Sequence, residues 1–480
     1  MNITRPMKIG LIVSGFAISV ALVLLRPDSL SPTHAALAIA IICIGLAPSF
    51  IYLHQPTTAQ SLFPLMPLTG MFYAIFFGLP AFLADYLIVP GGHKIQFYGR
   101  SFLDSISLEA QVLVLSGVAI MFLTWAFGKK VIFKSLPRFS LSSSDNNRTL
   151  IMLAWGLSIA NLAYWLSPGI QALPSVGQFL QPAGFVAFAV FYLYNADGQL
   201  ARADKYLYFL LALPIWIGSL LATGFLTAVL LLLTLWLVLR YTVIRALPWK
   251  TMLVIPFLFL LVYPHVAEYR AVYWQAESQS SAFTKLKGFA EIVGRRTLSE
   301  GFGTTNDARP FTRLVRRISL ILPMSHVVES TPERTAYWAG ATYRTLFSGW
   351  IPRFIWRDKP EERWGNEFGR RYEILAAENR SMSVNIPWIT EMYANFGRTG
   401  VLLGMAFAGL FLGLFDRFLN SPQPKLLEKA VGAAVLLPLF NQESNFTLMT
   451  GSLIPLIVCL WLYFTIGLRL KSFWPFQPKS

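Results

Sequence analysis

GFLTAVLLLLTLWLVLRYT, residues 224–242, carries a single charge, Arg240. A helix needs about 20 predominantly apolar residues to cross the hydrocarbon of a bilayer. In lipid, every backbone polar group must be satisfied within the segment, so this run reads as a membrane-spanning helix. Runs of the same kind recur at 8–25, 34–53, 62–89, 107–127, 150–167, 176–195, 205–221, 250–266, 397–416, 427–446 and 450–468. Only Ala222-Thr223-Gly224 separates 205–221 from 224–242, which makes that pair the weakest division in the series. The whole chain agrees: 55% of its residues are hydrophobic, 13% are charged and the mean hydropathy is +0.53. Those values exclude an ordinary soluble enzyme. The expected fold is all-α, a polytopic transmembrane bundle of about twelve spans.

Short loops rich in Lys and Arg face the cytoplasm. Arg5 and Lys8 precede the first run; Lys129, Lys130, Lys134, Arg138 and Arg148 follow the fourth. Arg202 and Lys205 follow the sixth, Arg240, Arg245 and Lys250 the eighth, and Arg417, Lys425 and Lys429 the tenth. Arg469, Lys471 and Lys479 follow the twelfth. With twelve spans all these clusters fall on one side, so both termini are expected to be cytoplasmic. No small-residue cleavage pattern follows the first run, which reads as an uncleaved anchor. Cys43 and Cys459 fall inside expected spans, cannot form a disulfide framework or a cysteine metal site, and are expected to pack in the core.

The remaining polypeptide concentrates in one loop. Residues 1–267 read as an N-terminal transmembrane region, 268–388 as a large extracytoplasmic loop and 389–480 as a C-terminal transmembrane region. The loop holds about 18 Lys/Arg against about 13 Asp/Glu. Long translocated loops are exempt from the orientation rule, so the excess points to a phosphate-bearing partner or to anionic lipid headgroups. The net charge of +16 is otherwise placed at cytoplasmic loop ends, and a nucleic-acid partner is set aside.

Three helices are expected in the loop. Across 310–322, Phe311, Leu314, Val315, Ile318 and Leu322 form one apolar stripe, with Arg309, Arg313, Arg316 and Arg317 on another face. Those arginines either snorkel to lipid phosphates or line a cleft for a pyrophosphate, which the guanidinium fork binds bidentately. Thr331-Pro332-Glu333 has the residues of a helix start, followed by Tyr337, Trp338, Tyr343 and Phe347 up to Gly349. Glu361–Glu378 places Trp364, Phe368 and Tyr372 at four-residue spacing.

Two segments carry a further signal, IPRFIWRDKP at 351–360 and PWITEMYANFGRTG at 387–400. Together with the twelve-span layout and the single dominant late loop, they resemble the Wzy-type polymerases of O-antigen and exopolysaccharide. These enzymes are similar to O-antigen ligases and belong to the GT-C-like membrane glycosyltransferases. As specific sequence the resemblance covers about 344–400, plus a weaker patch at Asn441-Gln442-Glu443-Ser444. It lacks the Arg-x10-Gly pattern of some members: Glu329, Trp338, Phe354 and Asp358 stand eleven residues before Gly340, Gly349, Gly365 and Gly369.

The resemblance implies transfer of a glycan from undecaprenyl pyrophosphate onto another lipid-linked repeat unit, at the outer face of a bacterial inner membrane. A chain-length regulator is a further partner of such enzymes. An O-antigen ligase and a lipid-linked oligosaccharide flippase are the alternatives. Arg353 and Arg357, helped by Arg317, Arg344 and Lys359, are expected to hold the pyrophosphate and to stabilise charge on the leaving group. Trp356, Tyr343 and Tyr393 are expected to meet sugar rings. Glu391 is the expected base, partly buried at the outer lipid boundary where an unneeded carboxylate is poorly tolerated; a salt bridge to Arg398 or to a loop arginine is its bland alternative. His326 and Glu443 are the other acid–base candidates, Glu443 at the outer end of the eleventh run. No GxxxxGK[ST] loop is present, and the first outer loop, Arg26–Ser31, has only one acid. A metal-independent reaction without a cofactor is therefore expected.

Overall fold

The computed structural model describes residues 30–56, 60–87, 96–97, 100–101, 105–136, 147–224, 226–244, 262–273, 282–299, 315–353, 355–360, 362–420 and 424–469. The first expected span, 8–25, lies outside these residues, as does nearly all of the ninth, 250–266. Among the described residues the chain is helical apart from a two-residue hairpin, in which Gln96–Phe97 pairs antiparallel with Arg100–Ser101. Nine of its helices are long and apolar enough to cross a membrane.

The apolar helices are α1 (Pro32–His54), α2 (Leu65–Tyr73), α3 (Leu108–Phe127), α4 (Asn147–Leu166) and α5 (Gly177–Ala196). They continue with α6 (Arg202–Ala222) and α7 (Leu226–Ile244). Gly224, at φ +69°, makes the turn that separates α6 from α7, so the weakest division in the sequence is a real one. The loop contributes α8 (Val266–Tyr273), α9 (Ala282–Ser299), α10 (Ile321–Ser330), α11 (Leu346–Gly349) and α12 (Trp364–Arg371). The chain closes with α13 (Trp388–Leu419), α14 (Leu426–Phe440) and α15 (Phe446–Arg469).

The core runs between α3 and α13, which pack along their lengths. Val114, Val118 and Met121 of α3 and Val401, Met405, Ala408 and Leu412 of α13 are fully buried in it. Burying side chains of this size is worth roughly 1.5–3 kcal/mol each relative to water, although lipid-facing positions gain no such term. At the far end of α13 the buried Asp416 carboxylate accepts from Trp125 Nε1 and from Lys129 Nζ, both at 2.9 Å. It also accepts from Asn420, which in turn clamps the backbone of Phe63. Cys459 is half-buried, but Cys43 is exposed on α1. The expectation that it packs in the core fails because a membrane helix has an outward face as apolar as its inward one.

α13 begins at Trp388, well before the expected 397, because it is two helical pieces joined at Gly397. Gly397 has φ 64° and ψ −146°, a backbone conformation open almost only to glycine. The break leaves the carbonyls of Ala394 and Asn395 without their helical donors. A strap from the loop supplies them: Trp338 N–H donates to Ala394 O at 3.0 Å and Ala339 N–H to Asn395 O at 3.2 Å. Asn395 Oδ1 then accepts from Gly340 N–H at 2.9 Å.

That strap replaces the helix expected from Thr331. Thr331 instead closes α10, donating its N–H to Val327 O, and residues 331–340 follow as turns and extended chain. Tertiary hydrogen bonding to the broken α13 overrides the local start signal. The expected 310–322 helix is corrected in the same way. Residues 301–314, with Arg309 and Arg313, lie outside the described residues, and helix continues only over 315–318. Leu320 N–H donates to Phe76 O at 3.0 Å, in the π-helical turn Ala74–Gly78 that follows α2, and Leu322 belongs to α10. The third expected helix exists but is shorter, Trp364–Arg371 rather than 361–378. Leu375 N–H folds back to Gly369 O and Glu373 takes φ +56°.

A Cβ on Gly397 would sit 2.6 Å from Tyr337 Oη. Gly397→Ala should therefore cost about 1–3 kcal/mol from backbone strain alone, and more from the clash. Thermal unfolding in detergent should show Gly397→Ala/Tyr337→Ala recovering only the clash component.

Candidate active site

The polar residues of the loop and of the last helices converge on the turn between α14 and α15. Helix α14 stops at Phe440, and Asn441–Asn445 form a turn whose Gln442, Glu443 and Asn445 are buried. Glu443 was expected at the end of a longer eleventh span; it sits in this turn instead. Its carboxylate pairs with the Arg317 guanidinium. Burial works against the Arg317 charge, but the hydrogen bond and charge of Glu443 outweigh it and raise the Arg317 pKa. Gln442 Oε1 accepts from Tyr73 Oη at 2.6 Å, and Gln442 O from Trp388 N–H at 3.4 Å.

Glu391, on the short first piece of α13, is 1% exposed. It is not the half-buried boundary residue the sequence suggested. Oε2 accepts from Phe446 N–H at 2.7 Å, so a carboxylate from another helix occupies the donor-rich start of α15. Thr342 lies beside the carboxylate, and Oε1 meets no hydrogen-bond partner among the described residues. The salt bridge to Arg398 does not form. Arg398 lies beyond the Gly397 break and pairs with Glu109, Nε to Oε1 at 2.6 Å. Asn395 Nδ2 locks the arrangement by donating to Glu391 O and to Thr342 Oγ1, both at 2.9 Å.

Two concavities flank this turn. One, of about 390 Å³, brings charged, amide and hydroxyl side chains together with apolar ones and lies between Glu362–Asn366, Arg380–Ile386 and Ser444, Asn445 and Leu448. The other, of about 560 Å³, is almost wholly apolar and is lined by Tyr343, Leu346, Met392, Phe396, Leu403 and Phe407 among others. Asn445 belongs to the first and Phe446, the residue after it, to the second. Glu391 bonds the backbone at that divide.

The other expected residues are dispersed. Arg353 donates Nη1 to Lys359 O at 2.7 Å and Nη2 to Pro360 O at 3.2 Å. Lys359 Nζ donates to Gly349 O and Ile351 O. Both cations thus hold their own loop. Arg344, Arg357 and Trp356 are exposed. Tyr343 stacks on Phe396, and burial followed by the Glu391 charge pushes its phenol well above the usual range. Tyr393 is buried in the core. His326 Nε2 meets Tyr372 O at 2.8 Å. A carbonyl only accepts, so Nε2 carries the proton and the ring ties α10 to the end of α12. Among the described residues no three His, Cys, Asp or Glu side chains are placed to hold a metal ion.

A family model, the domain of unknown function DUF8712, matches residues 118–418. The chain belongs to that family. The DUF8712 region opens within α3 and ends within α13, so it contains Arg317, Glu362 and Glu391 but not Glu443 and Phe446, which Arg317 and Glu391 bond. No curated protein and no solved structure matches the chain.

Sequence reasoning passed over Glu362, the half-buried acid of the mixed cleft. Its only signal is position, an acid directly after the Pro-bounded basic segment.

Removing one partner of a buried ion pair leaves the other charge uncompensated. The Arg317 side chain keeps 35% exposure, so Glu443→Leu should cost about 2 kcal/mol rather than the 3–5 of a fully dry pair. The double variant Arg317→Met/Glu443→Leu should recover most of that loss in thermal unfolding. Burial holds the His326 pKa below the ordinary histidine value, although the Tyr372 carbonyl opposes it. The unfolded chain therefore binds the extra proton below about pH 6.5, and loop stability should fall as pH drops from there. Hydrogen exchange over 364–375, corrected for intrinsic rates, should show this drop, and His326→Gln should abolish it.

Proposed function

We propose that this protein is a polymerase of undecaprenyl-pyrophosphate-linked repeat units, working at the outer face of a bacterial inner membrane. In this reading twelve spans place both termini in the cytoplasm and the 268–388 loop outside. The observation that carries it is the pairing of this mixed cleft with an apolar groove across one residue step, Asn445 to Phe446, with the buried Glu391 bonded at the step. An amphiphile with a sugar head and a long hydrocarbon tail has that same division. Arg363 and Arg380 on the cleft supply charge for a pyrophosphate, with the exposed Arg344 and Arg357 nearby in sequence. Arg353 and Lys359 shape the loop rather than touch substrate.

A second reading, lipid-linked oligosaccharide transport, is favoured by one feature. Transporters commonly build their sites at interrupted helices carrying buried charge, as α13 does at Gly397 beside Glu391.

Purified protein in liposomes containing the lipid-linked repeat unit should produce a ladder of elongated products. Glu391→Gln should reduce elongation by at least tenfold, because it disturbs the hydrogen bond that holds the start of α15. Movement of the unit between leaflets without any ladder would replace the polymerase by the transporter. Unchanged polymer length distribution in a gene-deletion strain would remove the first reading outright.

A further inference from the structure

The mixed cleft has an internal chemistry that Glu391 does not share. Glu362 Oε1 is buried beside Gly349 and meets no donor among the described residues, with Thr345 close to the carboxyl group. Asn445, 6% exposed, has an amide Nδ2 that meets no acceptor among them. Both residues line the cleft. Each of the two atoms is sealed from solvent, so an occupant meets it only by turning the side chain toward the cleft, and a group that both gives and receives a hydrogen bond suits the pair. A hydroxyl does that; a phosphate only accepts. Leaving both atoms unmet is costly in a buried setting, so an occupant that satisfies them gains in affinity and specificity.

The rest of the lining agrees. Ser381, Ser383, Asn385 and Ser444 add further groups able to give and receive. The Trp364 ring is held by its Nε1 hydrogen bond to Thr345 Oγ1 and by contact with Trp338, offering a fixed aromatic edge. Val384, Ile386 and Leu448 supply apolar wall for the C–H faces of a ring. The volume, about 390 Å³, falls within the range of small-molecule sites.

We propose that this cleft seats a sugar of the acceptor glycan, with Glu362 accepting from and Asn445 donating to its hydroxyls. The word acceptor rests on the polymerase reading; the saccharide site does not. Burial raises the Glu362 pKa above the ordinary carboxylate range, against the lowering effects of Thr345, Lys359 and Arg353. That strengthens it as the group to take a hydroxyl proton. Glu391, sealed against Phe446, then acts as a positioning residue that fixes the start of α15 and with it Asn445.

The probe is the repeat-unit oligosaccharide freed from its lipid pyrophosphate by mild acid, so that no phosphate or tail contributes. Titration into the purified full-length protein, read by calorimetry, should show binding that weakens tenfold or more in Glu362→Gln and in Asn445→Ala. Ser381→Trp, an exposed position on the rim, should block binding without disturbing the core, as checked by an unchanged melting temperature. In elongation assays Glu362→Gln should lower kcat and flatten the rise of rate with pH, whereas Glu362→Asp should retain that rise. Absence of binding to the wild-type protein, or equal binding by wild type and all three variants, overturns the proposal. A wild-type protein that binds the oligosaccharide through Glu362 and Asn445 yet elongates nothing removes the polymerase reading and leaves the saccharide site standing.

Discussion

The architecture around the cleft depends on two carbonyl groups. Ala394 and Asn395 lose their helical donors where Gly397 turns the chain, and a buried, unpaired carbonyl is expensive enough that something must meet it. The strap at Trp338–Gly340 does so. Its docking brings Thr342 to Glu391 and Asn395, and Thr342 O in turn accepts from Thr447 at 2.8 Å. One interruption of a helix thus organises the loop, the carboxylate and the head of α15 together. A continuous α13 would offer none of these attachment points.

Nine of the twelve expected spans match helices long and apolar enough to cross a membrane among the described residues, because lipid imposes one rule on every residue of a span and a summed hydropathy reads it well. The loop was not legible in this way, because its local signals compete with partners far away in sequence. Thr331-Pro332-Glu333 has the composition of a helix start, yet the strap it leads into is drawn to α13 by hydrogen bonds spanning about 55 residues. Trp364, Phe368 and Tyr372 did mark a real helix, since their spacing reports burial against the core rather than a cap. The candidate site was half visible. Glu391, Glu443 and the polar turn stood out as charges and amides in apolar surroundings. That Arg398 faces Glu109 instead of Glu391 depends on the Gly397 break, whose backbone angles no composition discloses.

The arginines divide in a way their number conceals. Arg317 neutralises a buried acid, Arg353 braces a turn with its neighbour Lys359, and Arg371 lies 5.0 Å from the Trp338 ring. A basic loop is therefore partly a self-supporting one, with cations replacing the regular hydrogen bonding that aromatic, proline-bounded chain cannot supply. Arg344, Arg357 and Arg380 are among the loop cations that stay exposed to an anionic partner.

Asp416 fixes the opposite end of α13. With Lys129, Trp125 and Asn420 all bonded to one carboxylate, that end is riveted to α3, roughly 28 Å along the axis from Gly397 at 1.5 Å per residue. A rod anchored so firmly at its base cannot slide or roll to transmit a signal. A rearrangement at the head that leaves this base in place pivots at the glycine and carries the strap and the start of α15 with it. The half of the helix that carries Glu391 is thus mechanically insulated from the half that holds the bundle together.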